Sequence, residues 1–248
     1  MDDRQQATQQ QGAVGELHDA RRKSAAREWT EAILVAVALA LVIRTFVVQA
    51  FKIPSGSMLE SLQIGDHLLV NKMTRGTIVE VPLTRIALFT VPRLGDPQRG
   101  EILVFQFPRD PSRDFIKRVI GLPGEVVAIR DKRVYIDGRL IEEPYVVYRG
   151  GPPAANPPPA TLPARPGAVP ACSAREGGYP RDRDDYGPCL VPEGHLFMMG
   201  DNRDQSEDSR AWGPLPMELI RGKAFLIYWS WNRDRFLPRW DRIGMLVR

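Results

Sequence analysis

The chain has 248 residues, enough for one large domain or two small ones with an ample core. Its hydrophobic fraction of 43% and charged fraction of 26% are ordinary for a globular protein, and its net charge of +4 is mildly basic with both signs scattered, which argues against a nucleic-acid role. Two cysteines, Cys172 and Cys189, are too few for a zinc framework. In an oxidising compartment they can form one disulfide; otherwise they are two unpaired thiols.

Residues 1–27 are polar, rich in Gln, Ala and charge, and read as a flexible tail. The composition then changes sharply, with twelve apolar residues in a row at positions 32–43 (AILVAVALALVI). Arg44 and Thr45 interrupt, and Phe46-Val47-Val48-Gln49-Ala50-Phe51 continues the apolar tone. Three readings compete. A spanning helix over residues 29–51 has adequate length, with Trp29 at one interface and Arg44 snorkelling toward the other. A cleaved signal peptide fits the core length, with Val48-Gln49-Ala50 as a small-x-small site. A buried core helix is the third. Arg21, Arg22, Lys23 and Arg27 precede the segment, so the N-terminus is expected in the cytoplasm and everything after Phe51 outside it.

The remainder reads as strands. Residues 101–107 (EILVFQF) form one, and Val126–Arg130 and Arg133–Ile136 are two more, separated by Asp131-Lys132. Asp137-Gly138 before residues 139–141 is a strong hairpin signal, and residues 224–231 (AFLIYWSW) form another aromatic and β-branched run. Only the N-terminal segment has a helical period, so the expected class is mainly β. Residues 152–170 hold eight prolines among nineteen and predict a linker or long surface loop, which a Cys172–Cys189 disulfide would close.

Three stretches could carry chemistry. In Ile53-Pro54-Ser55-Gly56-Ser57-Met58, a serine among turn-forming residues can be held exposed with its backbone N–H free, although the same residues are common in plain loops. In Phe115-Ile116-Lys117-Arg118-Val119-Ile120-Gly121-Leu122-Pro123-Gly124, strand alternation puts Lys117 and Arg118 on opposite faces, so one can point into an apolar interior. A buried lysine loses charge stability and can act as a general base, whereas arginine stays charged. The bland alternative is an edge strand with two solvated cations. The third stretch, Gly200-Asp201-Asn202-Arg203-Asp204-Gln205-Ser206-Glu207-Asp208-Ser209-Arg210, is either a solvated acidic loop or a site with internally paired charges; it lacks the spacing of a calcium loop. His18, His67 and His195 have no nucleophile motif beside them, so a serine–lysine pair is the better-supported chemistry.

Together these stretches resemble bacterial type I signal peptidases. The likeness runs over about residues 29–231 and includes, in the family's order, the apolar anchor, Pro-Ser-Gly-Ser-Met, Gly65-Asp66, the Lys117 stretch and the Gly200 stretch. The resemblance implies a largely antiparallel β-sheet catalytic domain, preceded by one N-terminal transmembrane helix. It implies Ser57 as nucleophile, Lys117 as general base, and Ser55 with the Ser57 amide as oxyanion hole. Ser206 and Asp208 would orient the lysine, with Asp201, Arg203, Asp204 and Arg210 as surrounding scaffold. The implied organisation is a cytoplasmic tail (1–27), a retained anchor (28–50) and an exported domain (51–248) with a proline-rich insertion at about 150–190. The implied protein is a monomer in the bacterial inner membrane, with its catalytic domain periplasmic. It cleaves precursor proteins bearing signal peptides after small-x-small sites, in contact with membrane lipid and without metal, cofactor or nucleic acid. Two departures stand out: some members have two N-terminal spans where this chain has one candidate, and Leu59-Glu60-Ser61-Leu62 replaces the Pro-Thr-Leu of many members. The alternatives are a specialised relative that processes one pilin or conjugation protein, a self-cleaving transcriptional regulator, and a catalytically dead anchored scaffold.

Overall fold

The computed structural model describes residues 25–72, 78–80, 87–90, 95–155, 159–162, 169–174 and 183–247. Arg21, Arg22, Lys23 and parts of the proline-rich stretch lie outside the described residues. The chain divides into two compact units, residues 1–43 and 44–248.

Helix α1 (Ala25–Phe46) holds the apolar run. Alanine and leucine favour a helix, no glycine or proline interrupts it, and Arg44 in the last turn suits the helix dipole. Its large apolar side chains from Trp29 to Ile43 are exposed. Among the described residues no helix is long and apolar enough to cross a membrane. The twelve-residue run spans about 18 Å at ~1.5 Å per residue, against a hydrocarbon core of about 30 Å. The segment expected as one anchor over 28–50 is divided: the helix stops at Phe46, and Val48–Lys52 is a strand.

The second unit is built of antiparallel strands: β1 (Val48–Lys52), β2 (Asp66–Asn71), β3 (Ile78–Glu80), β4 (Ala87–Thr90), β5 (Ile102–Phe107), β6 (Asp110–Gly121), β7 (Val126–Arg130), β8 (Arg133–Ile136), β9 (Arg139–Leu140), β10 (Tyr186–Leu190), β11 (His195–Met199), β12 (Leu215–Pro216), β13 (Ile220–Asn232) and β14 (Leu237–Pro238). Among the described residues a short α-helix, α2 (Ser209–Trp212), and three single-turn 3-10 helices interrupt them. The main sheet runs β1-β2-β13-β5-β6-β11-β12, with β14 beside β13; β10-β7-β8-β9 forms a second sheet, and β3-β4 a third. The expected mainly β, largely antiparallel class is what the chain adopts.

The main sheet is covered on both faces near its centre. Along β5, Ile102 and Val104 join a cluster with Ile53, Met58, Leu62 and Ile227, while Leu103 and Phe105 join another with Val119, Met198 and Trp212. A strand buried on both sides has no polar face, which is why residues 101–107 read as a nearly unbroken apolar run. In the hairpin of β8 and β9, Asp137 and Gly138 both take positive φ (48° and 78°), the conformation an Asp-Gly turn supplies at low cost.

Cys172 and Cys189 are bonded, 17 positions apart, and both are buried in a third cluster with Ile129, Tyr186 and Phe197. Closing a loop of this size removes chain entropy worth about 3 kcal/mol from the unfolded state. The Cys172→Ala/Cys189→Ala double variant should lose stability by about that amount, read as a lower urea midpoint; an unchanged midpoint would remove the disulfide from the fold's support.

Candidate active site

Ser57 sits in the connection between β1 and β2, and two features fix this turn. Ile53, Met58 and Leu62 are buried on either side of the serine, and the turn closes onto the sheet through Ile53 N–H to Asp66 O (2.9 Å). Gly65 has φ +96°, and a Cβ there would lie 2.2 Å from the Trp231 carbonyl, so only glycine permits the approach. Asp66, fully buried, accepts from Arg242 (Nη2, 2.7 Å), Ser230 Oγ (2.6 Å) and the Gln63 backbone (2.8 Å). The Gly65-Asp66 pair thereby pins the turn that presents the serine.

Lys117 and Arg118 lie next to each other on β6, and both are buried, at 3% and 2% exposure. Alternation predicts one inward side chain; because both sheet faces are covered, neither finds solvent. Their partners differ. The Arg118 guanidinium forms two bonds to Asp201, Nε to Oδ1 (2.8 Å) and Nη2 to Oδ2 (2.7 Å), and stacks over the Tyr145 ring at 3.8 Å. Among the described residues Lys117 has no carboxylate within ion-pair distance. Its Nζ donates to Ser57 Oγ (2.8 Å) and to the Ile116 carbonyl (3.0 Å). Burial pushes the Lys117 ammonium down to about 8, against the opposing pull of Asp208, Glu207 and Asp201.

The stretch from Gly200 onward is folded inward rather than solvated. Asp201, Asn202, Arg203, Ser206, Asp208, Ser209 and Arg210 are all buried. Every charge of the stretch except Glu207 has a partner among the described residues. Arg203 meets Glu143 through both terminal nitrogens (2.9 and 2.5 Å), and Arg210 meets Asp208 through Nε (2.9 Å) and Nη2 (2.8 Å). Asp204 accepts from the Gly150 N–H (2.6 Å) and Lys132 Nζ (3.2 Å). Burial alone would raise the Asp208 carboxyl, but Arg210, Ser206 and the Gly200 N–H hold it below the ordinary carboxylate value. Asp208 also caps α2, accepting from the Arg210 N–H. Ser206 Oγ is buried near Asp208 without a hydrogen bond of full geometry, and it does not bond Lys117.

Ser55, Gly56, Ser57, Lys117, Gln205 and Glu207 line one cleft of about 530 Å³. Ser55 is exposed there and makes no hydrogen bond to another described residue. No described residue accepts the Ser57 backbone N–H. Among the described residues, no group of three or more His, Cys, Asp or Glu side chains could hold a metal.

The chain matches the signal peptidase, peptidase S26 family over residues 26–229. It belongs to that family. It is 39% identical over 232 residues to a signal peptidase I of Pseudomonas fluorescens, covering 88% of this chain and 78% of that one. A signal peptidase I of Pseudomonas aeruginosa is 37% identical over the same shares. Signal peptidase I S of Bacillus subtilis is 30% identical over 86% of this chain and 95% of its own. The resemblance drawn from the three motifs is thus borne out.

Within the peptidase fold, three supporting residues escape sequence reasoning. Asn202 clamps the serine turn, its backbone N–H reaching Ser57 O (3.1 Å) and its Nδ2 reaching Gly56 O (3.1 Å). Gly200 allows that contact, since a Cβ would lie 2.5 Å from Ser57 O and 2.2 Å from Ser206 Oγ. Both sit inside the recognised stretch, so their position was visible but their role was not. Glu143, which neutralises Arg203, lies 60 positions away with no local signal.

The buried lysine has a stability consequence. Its proton affinity in the fold (about 8) is below the ordinary 10.5, so between these values the unfolded chain holds more protons and stability rises with pH. Below pH ~8 the burial costs about 3 kcal/mol. The stability of Lys117→Met relative to wild type should therefore fall by about 3 kcal/mol between pH 7 and pH ~11, measured by urea unfolding. A difference that stays constant across that range would contradict a depressed lysine.

Proposed function

We infer that this protein is an endopeptidase that removes N-terminal signal peptides from exported precursors, with Ser57 as nucleophile and Lys117 as general base. The observation that carries this reading is the 2.8 Å contact between Ser57 Oγ and a buried lysine that lacks a carboxylate partner. Neutral Lys117 takes the hydroxyl proton as Ser57 attacks the carbonyl before the cut. The free Ser57 N–H and the Ser55 hydroxyl then face the oxyanion, each such donor typically worth about 3 kcal/mol in the transition state. Lys117 passes its proton to the leaving amine, and water releases the acyl-enzyme. Ser206, Asp208, Asp201, Arg203, Asp204 and Arg210 hold this arrangement from behind.

The edge of β6 supports the mode of substrate binding. β5 pairs with β6 along one edge, and β11 covers the other only at Arg118, Val119 and Gly121. Among the described residues no strand pairs that second edge nearer the hairpin, so an extended precursor segment fits there as an added strand. Small side chains at the first and third positions before the cut suit shallow apolar pockets formed by residues such as Pro54, Phe115 and Ile116. The exposed apolar side chains of α1, with basic residues before it, support a retained single-pass anchor in the inner membrane, N-terminus cytoplasmic and catalytic domain periplasmic. We take the protein to act as a monomer.

The test is cleavage of a purified precursor with an Ala-x-Ala site by the full chain in detergent, beside Ser57→Ala and Lys117→Ala. Wild type should cut after the final Ala, with both variants folded and at least about 10⁴-fold slower. Cutting by Ser57→Ala would refute the nucleophile assignment. Full chain expressed in bacteria should also stay in the pellet after alkaline carbonate extraction; release to the supernatant would refute the anchor.

A further inference from the structure

The cleft that holds Ser57 and Lys117 carries more charge than the proposed reaction uses. Arg113, Asp114 and Glu207 also line it. The first two are engaged elsewhere. The Arg113 guanidinium lies over the Phe115 and Phe107 rings at 5.1 and 5.7 Å. Asp114 faces Arg221 at 3.9 Å. The other acids near Lys117 are neutralised as well, Asp201 by Arg118 and Asp208 by Arg210.

Glu207 differs from all of these. It stands between buried Ser206 and buried Asp208, which leaves its own side chain only half-buried and at the cleft wall. Among the described residues no cation lies within ion-pair distance of its carboxylate, and it makes no hydrogen bond. A carboxylate partly withdrawn from water without a partner has lost hydration that a cation can replace. Its carboxylate lines the cleft, so a cation on a bound substrate can reach it.

We propose that Glu207 is a specificity-determining residue, by which the cleft favours precursors carrying Lys or Arg over Asp or Glu beside the scissile bond, outside the two small-residue positions. The proposal rests on the peptidase reading above. A half-exposed ion pair contributes up to about 1 kcal/mol, so the expected preference is about fivefold. The charge of Glu207 also reaches Lys117. That effect is common to every substrate and cancels in a ratio of two substrates measured at one pH.

The experiment uses the full chain in detergent and peptides that share one Ala-x-Ala site. Lys, Gln or Glu is placed in turn at the position between the two alanines and at the first two positions after the cut. For wild type, kcat/KM for Lys over Glu should be about fivefold at one or more of these positions, and smaller in high salt. The ratio should collapse toward one in Glu207→Gln, which is isosteric, and invert in Glu207→Lys. A ratio near one in wild type, or one that Glu207→Gln leaves unchanged at every position, would overturn the proposal. Failure to cleave any peptide, the Gln series included, would instead sink the peptidase reading and this inference with it.

Discussion

A lysine ammonium buried against a serine hydroxyl, with no carboxylate of its own, is the constraint around which this domain is arranged. In water the ammonium is hydrated and a poor base. Inside the sheet, among the described residues, its hydrogen-bond partners are Ser57 Oγ and one carbonyl, and the neutral amine becomes accessible near physiological pH. An ion pair at Lys117 would undo this by restoring the charged form. The buried acids nearby hold the segment in place and are themselves occupied.

The buried ones are occupied by arginines. Asp201 belongs to Arg118, Asp208 to Arg210, and Glu143 to Arg203, each through two guanidinium nitrogens. Bidentate geometry fixes each carboxylate in direction as well as charge, which a lysine partner could not do. Removing one member of such a pair leaves the other buried and unpaired, a loss of about 3–5 kcal/mol. The same network carries Asn202 to the carbonyls of Gly56 and Ser57, so the serine turn and the lysine strand are registered by one rigid segment. The neighbours on β6 contrast in their partners: Arg118 is held by Asp201, whereas Lys117 meets a serine hydroxyl and can lose its proton.

Much of this was legible from residues alone. The apolar run at 101–107, the Asp137-Gly138 turn and the order of the three motifs each follow from local chemistry, and they gave the β class and the family. Other features need the fold. Strand alternation could place Lys117 or Arg118 inward but could not foresee both buried, because that depends on layers packed from distant segments. The apolar tone across residues 46–51 hid the change from helix to strand, since a β-branched pair after Arg44 and Thr45 suits either. Glu143 was invisible because neither it nor its neighbour Glu142 belongs to a pattern; only the burial of Arg203 demands it. The charge of Asp208 is directed at Arg210, and its influence on Lys117 acts through space.

The central claim is that Lys117 is the proton acceptor and titrates near 8 in the free enzyme. The most direct measurement is kcat/KM for a signal-peptide precursor as a function of pH, since this ratio reports ionisations of the free enzyme. The account predicts a rising limb with a midpoint at about 8, falling about tenfold for each pH unit below it. A profile that stays flat down to pH ~6 would contradict it, because the group that activates Ser57 would then have to be a stronger acid than this lysine.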